Sequence, residues 1–520
     1  DRGHVHPDRQ RAQPNNDYGG YLSMKRLALL LTAVASFAGR IEAGDTVYTS
    51  TRNVSGIAVA SDGSVWASTR GGILQRGPSG VWRKFTRADG LPSTEVLGIA
   101  ADGGAIRATF PTASARWDGN SWQVESTSVA GPKTETARCV WRGAEWFATA
   151  AGLTVVKRGK ARPVALPQSK GSHISALLPR GDKLLAAMYG DGLWKFDGTS
   201  WTRLDIAVPD RAREITALAD QGNTLWLGTR REGVWEFDGK SWRQHLQPDE
   251  PYDHDCQAIA VYGGMLYAST LQDGLLVRTK DGWTRVVEPE LSSNSPREMV
   301  EFGDALYVRH ANGEVDRFDG TTWTRDVFAD LPRKGVTVIA GDAERLYAAL
   351  WGGWSEFDGK SWTHHLKHPE LQGCVVTALL PDGNTLWVGT QGKGLIEFDR
   401  STDALAVHDE RRGLPDDWIK CIVRVGKTVY AGTYCGGLTQ WDGSTWNAVG
   451  DIGSVEISAL CPDGSGGVFI GTRHGLWRRL PDGSLQKMRP GIEVQALRAT
   501  GAGLWIGCRT EIRFVPAASL

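Results

Sequence analysis

One pattern, of the form LWxGT, returns about every forty residues. Aligned on its central aromatic or apolar position, the chain reads Trp66, Ile106, Trp146, Leu185, Trp226, Tyr267, Tyr307, Tyr347, Trp387, Tyr430, Phe469 and Trp505, with spacings of 40, 40, 39, 41, 41, 40, 40, 40, 43, 39 and 36. A repeat of this length is one supersecondary unit that cannot bury its own apolar faces and must pack against its neighbours. The unit is legible around Trp226, where EITALA (214–219), TLWLGT (224–229), VWEF (234–237) and WRQHL (242–246) are separated by DQGN, RREG and DGKS. Short runs alternating apolar and polar residues between Gly, Asp, Asn and Ser turns are antiparallel strands. Four such strands at this period specify a propeller blade. The 64 Gly and 22 Trp of the chain suit turns and strand faces respectively.

The expected fold is therefore all-β, a β-propeller of twelve four-stranded blades. The last repeat carries VQALRA (494–499), LWIGC (504–508) and IRFVPA (512–517) but no fourth strand, and residues 45–52 form a strand that precedes the first repeat. An N-terminal strand is expected to complete the twelfth blade and remove two unpaired edges. Twelve exceeds the usual range of about four to eight blades per ring. The sequence favours a single large ring over two fused propellers, because no connection reads as a linker and the closing strand couples the last repeat to the first.

The heptapeptide EFDGKSW occurs at 236–242 and again at 356–362, three repeats apart, with FDGTSW (196–201), FDGTTW (318–323) and WDGSTW (441–446) as variants. An Asp-Gly pair between strands makes a tight hairpin, and the following Trp opens an outer strand where it can pack between blades. The motif reads as a joint.

The stretches ITALADQGNTLWLGTRREGVWEFDGKSW (215–242) and VTALLPDGNTLWVGTQGKGLIEFD (376–399), with DGLP at 89–92 and RGLP at 412–415, resemble the two-component regulator propeller repeat. The resemblance covers about 45–520, and is weak in the third and seventh repeats. It implies an exported ligand-binding sensor propeller, often for glycans, here free-standing without a kinase. The count of twelve departs from that family's paired seven-bladed rings, so ligand or partner binding is carried over and signalling is not.

Residues 1–23 lack periodicity and read as an upstream, disordered leader. Residues 24–43 read as a signal peptide: Met24-Lys25-Arg26, the apolar run LALLLTAVASFA (27–38), and a cleavage point after Ala38 or Ala43. The repeat array occupies 45–520. An exported, periplasmic or secreted protein is expected, with no stable membrane span. Lys+Arg and Asp+Glu number 59 each, which excludes nucleic acid as a default partner. Of the seven Cys, which cannot all pair internally, Cys139 and Cys421 fall where other repeats carry Ala, Cys256 where they carry Ile or Val and Cys508 where they carry Thr, and the set reads as unpaired core residues.

In a four-stranded blade the first-to-second and third-to-fourth turns share one face, and the second-to-third turns and blade connections share the other. The first face repeats DGN and FDGxS, whereas the second carries unlike segments, so function is sought there. Its turns hold the candidate ligand-binding residues Arg70, Tyr189, Arg230, Arg231, Arg309, His310, Trp351, Tyr434, Arg473 and His474, with Trp354 and Arg509 beside them; connections add Tyr252, His254 and Trp418. Aromatic faces suit sugar rings or protein side chains, and Arg suits carboxylate, sulfate or hydroxyl groups. No catalytic residue, cofactor or metal is expected. His364, His365 and His368 lie on an outer strand running into a connection, where their spacing does not converge, and PYDHDC (251–256), whose Asp253, His254 and Asp255 could coordinate a cation, reads as a polar connection with Cys256 as the next strand's core residue. The chain reads as a non-catalytic binding protein for a glycan or protein. The alternative is a carbohydrate-active hydrolase or lyase using channel-facing acids, with Asp191, Glu232, Asp273 and Glu314 as candidates.

Overall fold

The computed structural model describes residues 44–102, 104–126, 135–171, 173–204 and 206–520. The leader and signal-peptide assignments lie outside these residues. Among them are twelve four-stranded antiparallel sheets, numbered here in chain order. Sheets 1 to 5 span 54–85, 98–126, 135–164, 174–203 and 215–245; sheets 6 to 11 span 256–286, 296–324, 338–365, 376–408, 419–448 and 457–490. Sheet 12 is built from 494–516 and completed by Thr46–Tyr48, which pairs antiparallel with Ile512–Phe514. The expected closure by the N-terminal strand is present. Asp45, at its start, bonds Arg489 at 2.7 and 2.8 Å and Arg513 at 2.9 Å, all in the interior.

Two repeated devices join neighbouring sheets. The Ser or Thr at the second position of the first strand donates its hydroxyl to the backbone of the next sheet: Thr136 to Ile174 and Ser175 to Ile215 at 2.6 Å, Ser55 to Val96 and Thr377 to Ile419 at 2.5 Å. The Gly of LWxGT supplies the second device. It leaves room for the residue heading the next sheet, so that a Cβ on Gly389 would lie 2.9 Å from Ile419 and one on Gly432 2.7 Å from Ile457. These packed first strands form the walls of a propeller.

The same devices fix the ring count. Thr216 of sheet 5 donates to Val54 of sheet 1 at 2.6 Å, and Gly228 of sheet 5 faces Val54. Gly507 of sheet 12 faces Cys256 of sheet 6. Sheets 6 to 12 therefore close as a seven-sheet ring. Sheets 3, 4, 5, 1 and 2, in that order, form a five-sheet arc; among the described residues no comparable packing joins the first strands of sheets 2 and 3. The single large ring favoured by the sequence gives way to two arrays. The physical reason is that the closing strand runs directly into sheet 1 through 49–53, a covalent link that carries no side-by-side packing of sheets 12 and 1.

The DG hairpins are joints, as expected. Asp238 and Asp358 each accept backbone N–H groups from the residues two and three positions on, all at 2.8 Å. The paired aromatics behind them meet at a tilt, Phe237 and Trp242 at 4.9 Å and Phe357 and Trp362 at 5.1 Å, and pack into inter-sheet cores. None of the seven Cys is paired; Cys256, Cys374, Cys461 and Cys508 are buried and Cys435 is exposed. No helix among the described residues is long and apolar enough to cross a membrane.

Candidate ligand site at the junction of arc and ring

Two segments cross between the arc and the ring: 49–53, leaving sheet 12 for sheet 1, and 246–255, leaving sheet 5 for sheet 6. They are bonded to each other. Thr51 donates its N–H and hydroxyl to Glu250 at 2.9 and 2.6 Å, Ser50 donates its hydroxyl to the Tyr252 carbonyl at 2.9 Å, and the Arg52 guanidinium sits 3.9 Å over the Tyr252 ring. Thr49, Ser50, Thr51, Arg52 and Glu250 are all buried. Lys84 donates to the Thr49 carbonyl at 2.7 Å, and burial pulls its ammonium down to about 8, against the pull of Glu250.

Beside this crossing is a cavity of about 60 Å³. Its walls are Ser50, Asn53, Arg70, Arg230, Arg231, Tyr252, Asp253, His254, Asp255 and the turn 271–273. All come from second-to-third turns or from connections, the face where the repeats disagree. His254 is 2% exposed, and its Nδ1 accepts the Ser50 N–H at 2.9 Å. Burial drives the imidazole down to about 4, so it is neutral at pH 7. With Nδ1 accepting, the ring proton stands on Nε2, which is buried and has no protein partner. A buried donor left unpaired costs about 1–3 kcal/mol, which a bound acceptor would recover.

Charge in the cavity is mixed. Asp255 and Asp273 are raised, chiefly by burial, while Arg231 stands 3.5 Å and Arg285 3.7 Å from Asp273. Arg285 also lies 4.3 Å over Tyr252. Arg230 extends the patch outward: it reaches the Tyr189 hydroxyl at 3.4 Å, and Tyr189 stacks on His173 at 5.3 Å. Arg70, Tyr189, Arg230 and Arg231 thus meet at or beside the junction.

The other candidates lie on the ring. Trp351 and Tyr434 are 53% and 40% exposed, and Tyr434 stacks on Trp418 at 4.2 Å. Arg473 pairs with Glu456 at 3.3 Å, and Arg309 with Glu298 at 2.9 Å. His474 is exposed, at a turn closed by its N–H to the Thr472 hydroxyl. His310 is fully buried, with Nε2 2.7 Å from Asp316, which also accepts from Ser292. It belongs to the interior. Of the four acids considered for catalysis, only Asp273 lines the junction cavity. Asp191 is held by Ser169 at 2.7 Å and Trp194 at 3.0 Å, and Glu232 and Glu314 bond side chains of their own sheets.

No family model matches the chain, and no curated protein matches it. Solved structures are similar in shape. The extracellular domain of BT3049, by its description a hybrid two component system of B. thetaiotaomicron, aligns at 15% identity over 89% of this chain and 68% of its own, with a TM-score of 0.46. The GH74 enzyme of Niastella koreensis aligns at 13% over 92% and 100%, with a TM-score of 0.48. PorZ of Porphyromonas gingivalis, a surface component of the type-IX secretion system, aligns at 14% over 89% and 79%, with a TM-score of 0.37. At these identities the likeness concerns the fold and carries nothing about ligand or activity.

Ser50 and Asn53, which no motif marks, are not legible in the sequence, whereas Tyr252 and His254 are among the connection residues expected on this face. The signal for His254 was its concentration with Asp253 and Asp255 where other repeats have fewer polar groups.

Proposed function

We propose that the chain is an exported, non-catalytic binding propeller that anchors a polyhydroxylated ligand, a glycan, at the junction cavity. The carrying observation is the Nε2–H of His254, a buried donor facing no protein acceptor beside a cavity lined by Arg and Asp together. A hydroxyl both donates and accepts, so a mixed lining of three Arg and three Asp suits it better than a bare anion, which the acids would repel. Whole-ligand pockets run to about 300–1,000 Å³. At about 60 Å³ this cavity takes one group of a larger ligand, the rest lying across Arg230 and Tyr189. Aromatic faces next to hydrogen-bonding groups suit sugar rings.

The test is a glycan array probed in parallel with a proteome pull-down, using wild type and Arg231→Ala. Array binding lost in the variant supports the reading. An array without signal, or signal indifferent to both Arg231→Ala and His254→Asn, refutes it. A protein captured through the same residues would replace the glycan as ligand. Turnover of an array hit, abolished by Asp273→Asn, would establish the hydrolase or lyase alternative.

A further inference from the structure

A second polar cluster lies at the seam of sheets 8 and 9, remote in sequence from the junction. The fourth strand of sheet 8, Trp362–His365, ends at His365, and the chain turns so that His368 follows on the same side. The spacing that does not converge along a strand converges here because the strand stops. Both imidazoles lie flat against the buried Trp354, at 4.9 and 5.7 Å with interplanar angles of 14° and 5°, and parallel to each other at 6.1 Å. Across the seam, Asp403 projects from a turn of sheet 9 in which its own φ is 58°. One donor atom from each of His365, His368 and Asp403 can be chosen such that all lie within 4.8 Å of one another.

The surroundings sort the atoms of His365. Its Nδ1 is 3.7 Å from Asp403, and its Nε2 is 3.6 Å from Glu356. Glu356 is buried, and is fixed by Trp354 Nε1 at 3.1 Å and Arg345 at 3.0 Å. At these distances neither carboxylate is hydrogen-bonded to the ring; Nδ1 is the nitrogen that faces Asp403, and Glu356 stands behind Nε2, where a small closing movement would let it accept the Nε2 proton of a metal-bound imidazole. A cavity of about 600 Å³ opens on the Glu356 side of His365; His368 and Asp403 are not among its walls.

We infer that His365, His368 and Asp403 form a binding site for a borderline divalent cation of the Zn²⁺ or Ni²⁺ class, stapling sheet 8 to sheet 9. Two imidazoles and one carboxylate are a donor set these ions favour. Bonds of about 2.0–2.1 Å place tetrahedral donors about 3.3 Å apart, so the cluster must tighten. Asp403, whose side chain is 71% exposed on a turn, is free to make that move.

The test uses the full chain and Zn²⁺ alone, titrated calorimetrically and by competition with a chromogenic chelator. Wild type is expected to bind one Zn²⁺ at this site and to melt at a higher temperature with it. His368→Ala, at a half-buried site, and Asp403→Ala, at an exposed one, are each expected to weaken that binding at least tenfold and to abolish the melting shift. Glu356→Gln is expected to weaken it about 10–100-fold without abolishing it. His364→Ala, whose side chain bonds Ser355 instead, is the control and should bind as wild type does. The proposal is overturned if wild type shows no melting shift at 100-fold excess, or if His368→Ala and Asp403→Ala retain wild-type affinity. Circular dichroism of each variant separates ligand loss from unfolding.

Discussion

Gly228→Ala tests the packing that divides the molecule into arc and ring. Gly228 is extended, so an added methyl brings no backbone strain and would by itself reduce unfolded-state freedom, a gain of about 0.4–1 kcal/mol. Its Cβ, however, would stand 2.4 Å from Val54 Cγ1, 2.9 Å from Val54 Cβ and 3.1 Å from Ala217 Cβ. Ordinary carbon contacts are about 3.5–4.0 Å, so the first overlap exceeds about 1 Å, and backbone atoms must shift. Overpacking of this kind costs about 1–3 kcal/mol. Val54→Ala alone opens a cavity at a fully buried site, and is expected to cost about 2 kcal/mol. In the double variant the new methyl occupies the space the valine vacates, so the combined loss should be about 1–2 kcal/mol rather than the sum. Urea denaturation followed by tryptophan fluorescence reads all four proteins. A coupling of about 2 kcal/mol is predicted for this pair, and additivity for Gly228→Ala with Cys256→Ala. Additivity within about 0.5 kcal/mol for Gly228 and Val54 would mean that they do not touch, and the arc's closure of sheet 5 on sheet 1 would be refuted.

Further outcomes follow from buried charge. Asp45→Asn removes the buried negative charge that Arg489 and Arg513 share, and a loss of about 3–5 kcal/mol is expected in the same urea assay; a loss below about 1 kcal/mol would show that the N-terminal strand does not lock the ring. His254 is held neutral in the fold, so its contribution is fully present above its ordinary value of 6.5 and falls as the pH drops toward about 4, where the folded form also takes the proton. That window carries on the order of 3 kcal/mol, and His254→Asn, whose side-chain oxygen can still accept the Ser50 N–H, should flatten this part of the stability–pH curve; an unchanged slope would contradict the burial.

Much of this was legible in the sequence because each device is local. LWxGT, DGxS and the strand alternation fix each sheet without reference to its neighbour, and the missing strand of the last repeat pointed to 45–52. The ring count was not legible, because the Gly and Ser/Thr devices are alike at most seams and do not say which sheet comes next. Leu97, one residue before sheet 2, stands where Ser55, Thr136 and Thr216 carry a hydroxyl, but Gln257, Arg297, Lys420 and Gln495 hold the same position at seams that do pack, so the missing hydroxyl does not by itself mark the end of the arc. The site divides the same way. Arg70, Arg230 and Arg231 stood out because their turns depart from the repeat, whereas Ser50 and Asn53 reach the cavity only through the crossing of two segments about 200 residues apart.

Hydrogen–deuterium exchange, measured with and without the tightest glycan found on the array, addresses the functional claim most directly. Binding at the junction predicts slowed exchange at 50–53, 70–71, 230–233, 252–255 and 271–274, with the ring turns around Trp351, Tyr434 and His474 unchanged. Protection confined to those ring turns, with the junction unaffected, would contradict it.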